Sequence, residues 1–159
     1  MGQLIAEQKK LLDDVDSLFV SLSSETWLIP MSSVAEVVHF VDYEEQHQEP
    51  VWLKGWMEWR EQRIPLIVFE AIGSDSDQCD TEGSLVLVMN TLRPESKFNF
   101  YAVFIRDFPH SVRISEEDLL QEIAGEPSLP FALMQVGLDE RVALIPDLEK
   151  LEAYLFEHL

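Results

Sequence analysis

A mainly β, barrel-like fold with short helical connectors and a C-terminal helix is what the sequence predicts. Short apolar runs rich in Val, Ile, Phe and Trp recur along the chain, parted by polar or proline-bearing turns. They amount to about eight to ten strands, and no repeat of solenoid period appears. The clearest pair lies in Leu53–Phe69, where two such runs flank the polar group Arg60-Glu-Gln-Arg63. A hairpin needs that order, because its turn backbone stays solvated while the flanking runs bury side chains. From about Pro146 the pattern changes, and Leu148, Leu151, Leu155 and Phe156 form the buried side of a closing helix.

Taken in order, Leu4, Ile5, Leu11, Leu12 and Val15 suit a short amphipathic helix, docked on the body or a partner, or a frayed terminus. Residues 1–15 are therefore set apart from a domain covering 16–159, read as two lobes sharing a core. Ser17–Leu22 and Thr26–Ile29 read as strands around the turn Ser23-Ser-Glu25, and Pro30 ends the second because it cannot donate to a ladder. Ser32 or Ser33 then caps a short helix through Val34, Val37 and Val38, with Glu36 in its first turn. Residues 40–50 read as an acidic loop.

Trp52, Trp56 and Trp59 fall at helical spacing, but Gly55 and Pro65 weaken a helix and the run Ile64–Phe69 favours a strand. The stretch is read as two strands and a tight turn. Asp75, Asp77 and Asp80 lack the glycine, glutamate and flanking helices of an EF-hand, so residues 74–82 read as solvated loop. Leu85–Met89 is a continuous apolar run, hence a strand covered on both faces, and Phe98–Ile105 is its partner across a long hairpin loop. Ser111–Ile114 is a further short strand. Ser115-Glu-Glu-Asp118 has the form of a helix start. Residues 125–130 are loop, and Phe131–Val136 with Arg141–Ile145 form a last hairpin.

The 159 residues carry a net charge of −19, which repels phosphate backbones and anionic headgroups. Nucleic acid and direct membrane insertion are thus poor expectations; solubility explains most of the charge, and a basic partner patch is the sharper alternative. A single cysteine, Cys79, excludes an intramolecular disulfide and a cysteine-based zinc site. No apolar run is long enough to span a bilayer, and residues 1–10 lack the order of a secretory signal, so a cytoplasmic location is expected. Six glycines form no phosphate-binding loop, four scattered histidines form no metal motif, and no nucleophile elbow exists. Together these favour a non-enzymatic binding module without metal or cofactor.

Three stretches in order resemble the CheW-like domain of bacterial chemotaxis coupling proteins, over roughly residues 16–155. Trp27-Leu-Ile-Pro-Met-Ser-Ser-Val-Ala-Glu-Val37 is similar to that family's second strand and V-x-E-[VI] pattern. Gly55, Arg60 and Ile64-Pro-Leu-Ile67 resemble its G-x-x-N-x-R-G…V-P-[IV]-[IV]-D-L signature, and Arg141-Val-Ala-Leu-Ile…Leu-Glu-Lys-Leu151 its closing strand and helix. Glu58, Glu61 and Val68 depart from the signature's Asn, Gly and Asp. The departures mark a divergent member, read as serving a chemosensory array for pilus-based twitching motility.

The resemblance implies two intertwined five-stranded SH3-like β-barrels and a non-catalytic adaptor. Its partners would be the regulatory domain of a chemotaxis-type histidine kinase and the cytoplasmic tip of a methyl-accepting chemoreceptor. Carried over by position, Val34, Glu36, Gly55 and Arg60 are the candidate partner-binding residues, with Trp56 and Glu58 beside them. Three of them have a competing structural role: core packing for Val34 and Trp56, and for Arg60 an internal ion pair with Glu58, Glu61 or another acid. A small ligand-binding sensory β-barrel is the alternative function, motivated by Trp52, Trp56, Trp59, Phe98, Phe100 and Tyr101. It requires an enclosed apolar pocket.

Overall fold

The computed structural model describes residues 15–39, 42–73, 85–93, 97–115, 131–138 and 141–159. Eleven strands are found among them: β1 (Val15–Ser21), β2 (Thr26–Pro30), β3 (Val34–His39), β4 (Glu44–Glu45), β5 (Leu53–Trp59), β6 (Gln62–Ile67), β7 (Leu85–Asn90), β8 (Phe100–Ile105), β9 (His110–Ile114), β10 (Ala132–Leu138) and β11 (Arg141–Pro146). Single 3-10 turns span Met31–Ser33 and Phe69–Ala71, and helix α1 spans Leu148–Glu157. The Asp147 carboxylate caps α1 by accepting from the Lys150 backbone N–H at 3.1 Å.

The strands form two sheets, a five-stranded one in the order β10-β11-β2-β1-β9 and a six-stranded one in the order β3-β7-β8-β6-β5-β4. The described strands thus begin and end in the first sheet, with the whole second sheet inserted between β2 and β9. Most pairings are antiparallel, but β11–β2 and β6–β8 are parallel. Neither parallel pair is consecutive, so each requires a crossover.

The middle of the first sheet is buried on both faces. Phe19, Leu28, Ile114, Val136 and Ala143 form a small core on one side. Val20, Trp27, Ile29 and Leu144 face the other way, into a large core shared with the second sheet and with Leu151 and Leu155 of α1. Strand alternation sorts neighbours such as Phe19 and Val20 onto the two sides. Trp27 is fully buried, with the ring of Phe69 edge-on at 4.7 Å.

Three polar ties fasten the sheets and the helix. The Arg106 N–H, just past β8, donates to the Ser21 carbonyl at 2.7 Å. Glu70, in the second 3-10 turn, accepts from the Ser23 hydroxyl and from the Ser23 and Ser24 backbone N–H groups of the β1–β2 turn. The fully buried Glu152 of α1 accepts from the backbone N–H groups of Leu92 at 2.6 Å and Arg93 at 3.0 Å, clamping the helix to the chain leaving β7.

Three expectations are corrected. Val34, Ala35, Glu36, Val37 and Val38 are not a helix but strand β3, paired with β7 from Val34↔Met89 to His39↔Leu85. The β-branched valines gain a ladder partner there that an isolated short helix would lack. The segment from 40 to 50 is not wholly loop, since Glu44 and Glu45 pair with Trp56 and Gly55 as β4. That added strand makes the second sheet six-stranded rather than five-stranded. The N-terminal helix, the 74–82 loop with Cys79, the helix starting at Ser115 and the 125–130 loop lie outside the described residues, apart from Val15 and Ser115 themselves.

Replacing Glu152 by Ala leaves two amide donors without acceptors, so denaturant unfolding should show a loss of about 2–4 kcal/mol. Burial raises the Glu70 carboxyl above its ordinary value of 4.5, the Ser23 and Ser24 hydrogen bonds opposing this and the charge of Glu25 adding to it. The folded chain therefore holds the Glu70 proton more tightly than the unfolded chain. Its stabilising contribution is complete below 4.5 and is lost as pH rises through the folded value. The stability difference between Glu70→Gln and the parent, followed by urea unfolding from pH 4 to 7, should move in favour of the variant as pH rises.

Candidate partner-binding surface

The β5–β6 hairpin positions most of the candidate residues. Trp59 pairs with Gln62, so Arg60 and Glu61 are the whole turn. Both have positive φ, 48° and 62°. A two-residue hairpin with both central residues left-handed is the I′ arrangement, whose twist matches that of the strands. Asn-Gly fits it best; Arg-Glu adopts it at a steric cost.

Strand alternation then separates the two tryptophans. Leu53, Gly55, Met57 and Trp59 are buried, whereas Lys54 and Trp56 are half-buried and Glu58 is exposed. Trp59 points inward against Phe100, with ring centroids 4.7 Å apart. Its indole N–H donates to the Glu36 carboxylate at 2.5 Å, tying β5 to β3 at the far side of the sheet. The Arg60 guanidinium lies over the same indole, 4.4 Å from the ring centroid. Glu36 and Arg60 thus meet around Trp59. Arg60 is exposed, and among the described residues it forms no ion pair with Glu58, Glu61 or any other acid. Val34 is half-buried and packs against the large core, nearer to the competing structural role.

On the outer face a second group surrounds Trp56. Its ring stands 5.5 Å from that of Phe98, and the Arg63 guanidinium covers it at 4.8 Å. Arg63 also pairs with Glu44 of β4 at 3.3 Å, and lies opposite Glu58 in the ladder. Asp42, Tyr43, Glu44, Trp56, Glu58 and Arg63 line an open groove of about 620 Å³. Burial raises the Tyr43 hydroxyl above its ordinary value of 10.0, with the charge of Glu45 adding to it. Gly55 has a backbone role: a Cβ there would strike the Glu44 carbonyl oxygen and come within 2.9 Å of the Tyr43 ring. β4 can lie across β5 only over a glycine.

Of the six candidates, Glu36 and Arg60 meet at the hairpin tip, Trp56 and Glu58 face a groove over Gly55, and Val34 packs against the core at the start of β3. Sequence reasoning missed Asp42, Tyr43, Glu44 and Arg63. Arg63 was reachable, because placing the turn at 60–61 sets it opposite Glu58. The β4 residues carried no strand signal. Of the aromatic residues that motivated a ligand-binding barrel, Trp52, Trp59 and Tyr101 are buried in the core, and the groove beside Trp56 is open and charged rather than enclosed and apolar.

Comparison with known proteins places this geometry. The family model described as the CheW-like domain matches residues 16–154. The chain belongs to the CheW-like domain family. Among solved structures, the scaffolding protein TtCheW from Thermoanaerobacter tengcongensis is similar at 18% identity with a TM-score of 0.66, covering 83% of this chain and 88% of that one. No curated protein sequence matches. At that identity the structural likeness speaks for the fold, and the mainly β, two-sheet CheW-like architecture is established by the two results together. Relative to the family signature, the CheW-like hairpin here keeps its arginine but has Glu61 in the left-handed position suited to glycine.

Glu61→Gly should relieve that strain and stabilise the CheW-like domain by about 1 kcal/mol. Urea unfolding should show a higher midpoint at unchanged slope.

Proposed function

We propose that this CheW-like domain is a non-catalytic adaptor that couples the cytoplasmic tips of chemoreceptors to a histidine kinase in bacterial chemosensory signalling. The family match over residues 16–154 carries the reading. The hairpin tip supports it, since Arg60 is exposed, aimed by its turn and rested on Trp59 rather than spent on an internal acid. A planar guanidinium so held suits a carboxylate or the C-terminal end of a receptor helix. Glu36 contributes by fixing the indole on which Arg60 lies. In this reading Val34, Glu36 and Arg60 serve the receptor contact, and Gly55, Trp56 and Glu58 serve the partner face at the β4–β5 edge, where the kinase regulatory domain docks.

The adaptor works in the cytoplasm, beside the receptor tips; among the described residues no helix is long and apolar enough to cross a membrane. Assignment to a pilus-motility array is the finest part of the reading.

The test is capture of a receptor cytoplasmic-tip fragment and of a histidine kinase regulatory domain by the purified protein. Arg60→Glu should weaken receptor capture by about tenfold or more while thermal unfolding stays unchanged. Val34→Asp should do the same if it remains folded. A wild-type protein with no affinity for either class of partner would overturn the reading.

A further inference from the structure

We infer that the groove around Trp56 is an arginine-receiving site, which Arg63 occupies when no partner is bound. The occupant is a partner segment that presents one arginine side chain. The inference goes beyond the adaptor role and does not depend on which protein supplies that segment.

Four observations carry it. Trp56 is set apart from the other three tryptophans, which are 0% (Trp27), 3% (Trp52) and 6% (Trp59) exposed; its side chain stands on the outer face of β5, half-buried. The ring is already used as a guanidinium platform, with Arg63 4.8 Å from its centroid and Phe98 packed at 5.5 Å to hold the indole in place. The groove is large enough, about 620 Å³, to admit a side chain alongside Arg63 or in its stead. Its walls are complementary in charge, since the exposed carboxylates of Asp42, Glu44 and Glu58 face it and Arg63 is the cation among its lining residues.

The hold on Arg63 is weak enough for exchange. Its ion pair with Glu44 joins side chains that are 57% and 75% exposed, and such surface pairs, like exposed cation–π contacts, contribute little. An arriving arginine would take over both the Trp56 face and the Glu44 carboxylate, and Arg63 would turn to solvent or to Glu58, its neighbour across the ladder. Guanidinium is favoured over ammonium here, because it is planar, stacks on an indole and still offers its edge to a carboxylate. The acidic charge of the whole chain would add attraction at long range that falls with added salt.

The experiment is a titration of the full chain with a capped Gly-Arg-Gly peptide, followed by the Trp56 indole resonance in a two-dimensional amide correlation spectrum. A capped Gly-citrulline-Gly peptide serves as the neutral control of the same shape. The arginine peptide should shift the Trp56 signal and the citrulline peptide should not. Arg63→Ala should tighten arginine-peptide binding by about three- to tenfold, and adding Glu44→Gln should reverse most of that gain. Arg63→Gln provides the same vacancy should the alanine variant unfold. Equal effects of the two peptides, or an affinity left unchanged or weakened by both Arg63 variants, would overturn the site. The peptide titration and the receptor- and kinase-capture assays read separate binding events, so the two readings fail separately.

Discussion

The fold rests on one constraint, the burial of β1 and β2 on both faces. A sheet with one wet face would alternate apolar and polar residues along each strand. Here Phe19 and Val20 are adjacent and both buried, and so are Trp27, Leu28 and Ile29. Trp27 stands at the centre of that arrangement, opposite Val20 in the antiparallel ladder and Leu144 in the parallel one. Its indole N–H is buried without a hydrogen-bond partner among the described residues, a cost of about 1–3 kcal/mol. Burial of a whole tryptophan in the shared core offsets a cost of that size. The two sheets cannot part without exposing the inner face of the first, so the second sheet sits in a fixed relation to it.

That fixed relation gives the hairpin something to be rigid against. On a strand, residues three apart take opposite faces, so Trp59 anchors β5 within the second sheet while Trp56 is left at the surface. The Trp59–Glu36 hydrogen bond then ties the anchor to β3, near the other edge of the sheet. Arg60, the next residue, inherits its position from the anchor and its direction from the turn. The two halves of the candidate surface thus differ in kind: the tip is set by backbone geometry and a buried ring, the groove by side chains that are free to exchange partners.

Much of this was legible in the sequence, and what was not has physical causes. The β5–β6 hairpin, the β7–β8 pair and the final hairpin and helix announce themselves through local pattern, because each is completed by near neighbours in the chain. β3 does not. Val34, Val37 and Val38 satisfy helical spacing, and only pairing with β7, some fifty residues on, makes them a strand. β4 is two acidic residues with no apolar signal at all, held by the ladder of β5 and the absence of a side chain at Gly55. The Glu36–Trp59 contact joins residues 23 apart in sequence and is a product of the assembled sheet. The departures from the family signature were more informative: Glu61 in the place of the turn glycine does adopt the left-handed conformation that the motif anticipates.

The glycine beneath β4 has a consequence for the protein's life in a crowded cell. A sheet that ended at β5 would offer the outward-pointing amides of a seven-residue strand, the kind of template on which other chains add and aggregate. Because Gly55 lets Glu44 and Glu45 lie down along that strand, its middle is capped by two residues, both negatively charged and both exposed. So short and charged a border gives an incoming strand little to grip. The smallest side chain in the hairpin thereby keeps the sheet finite.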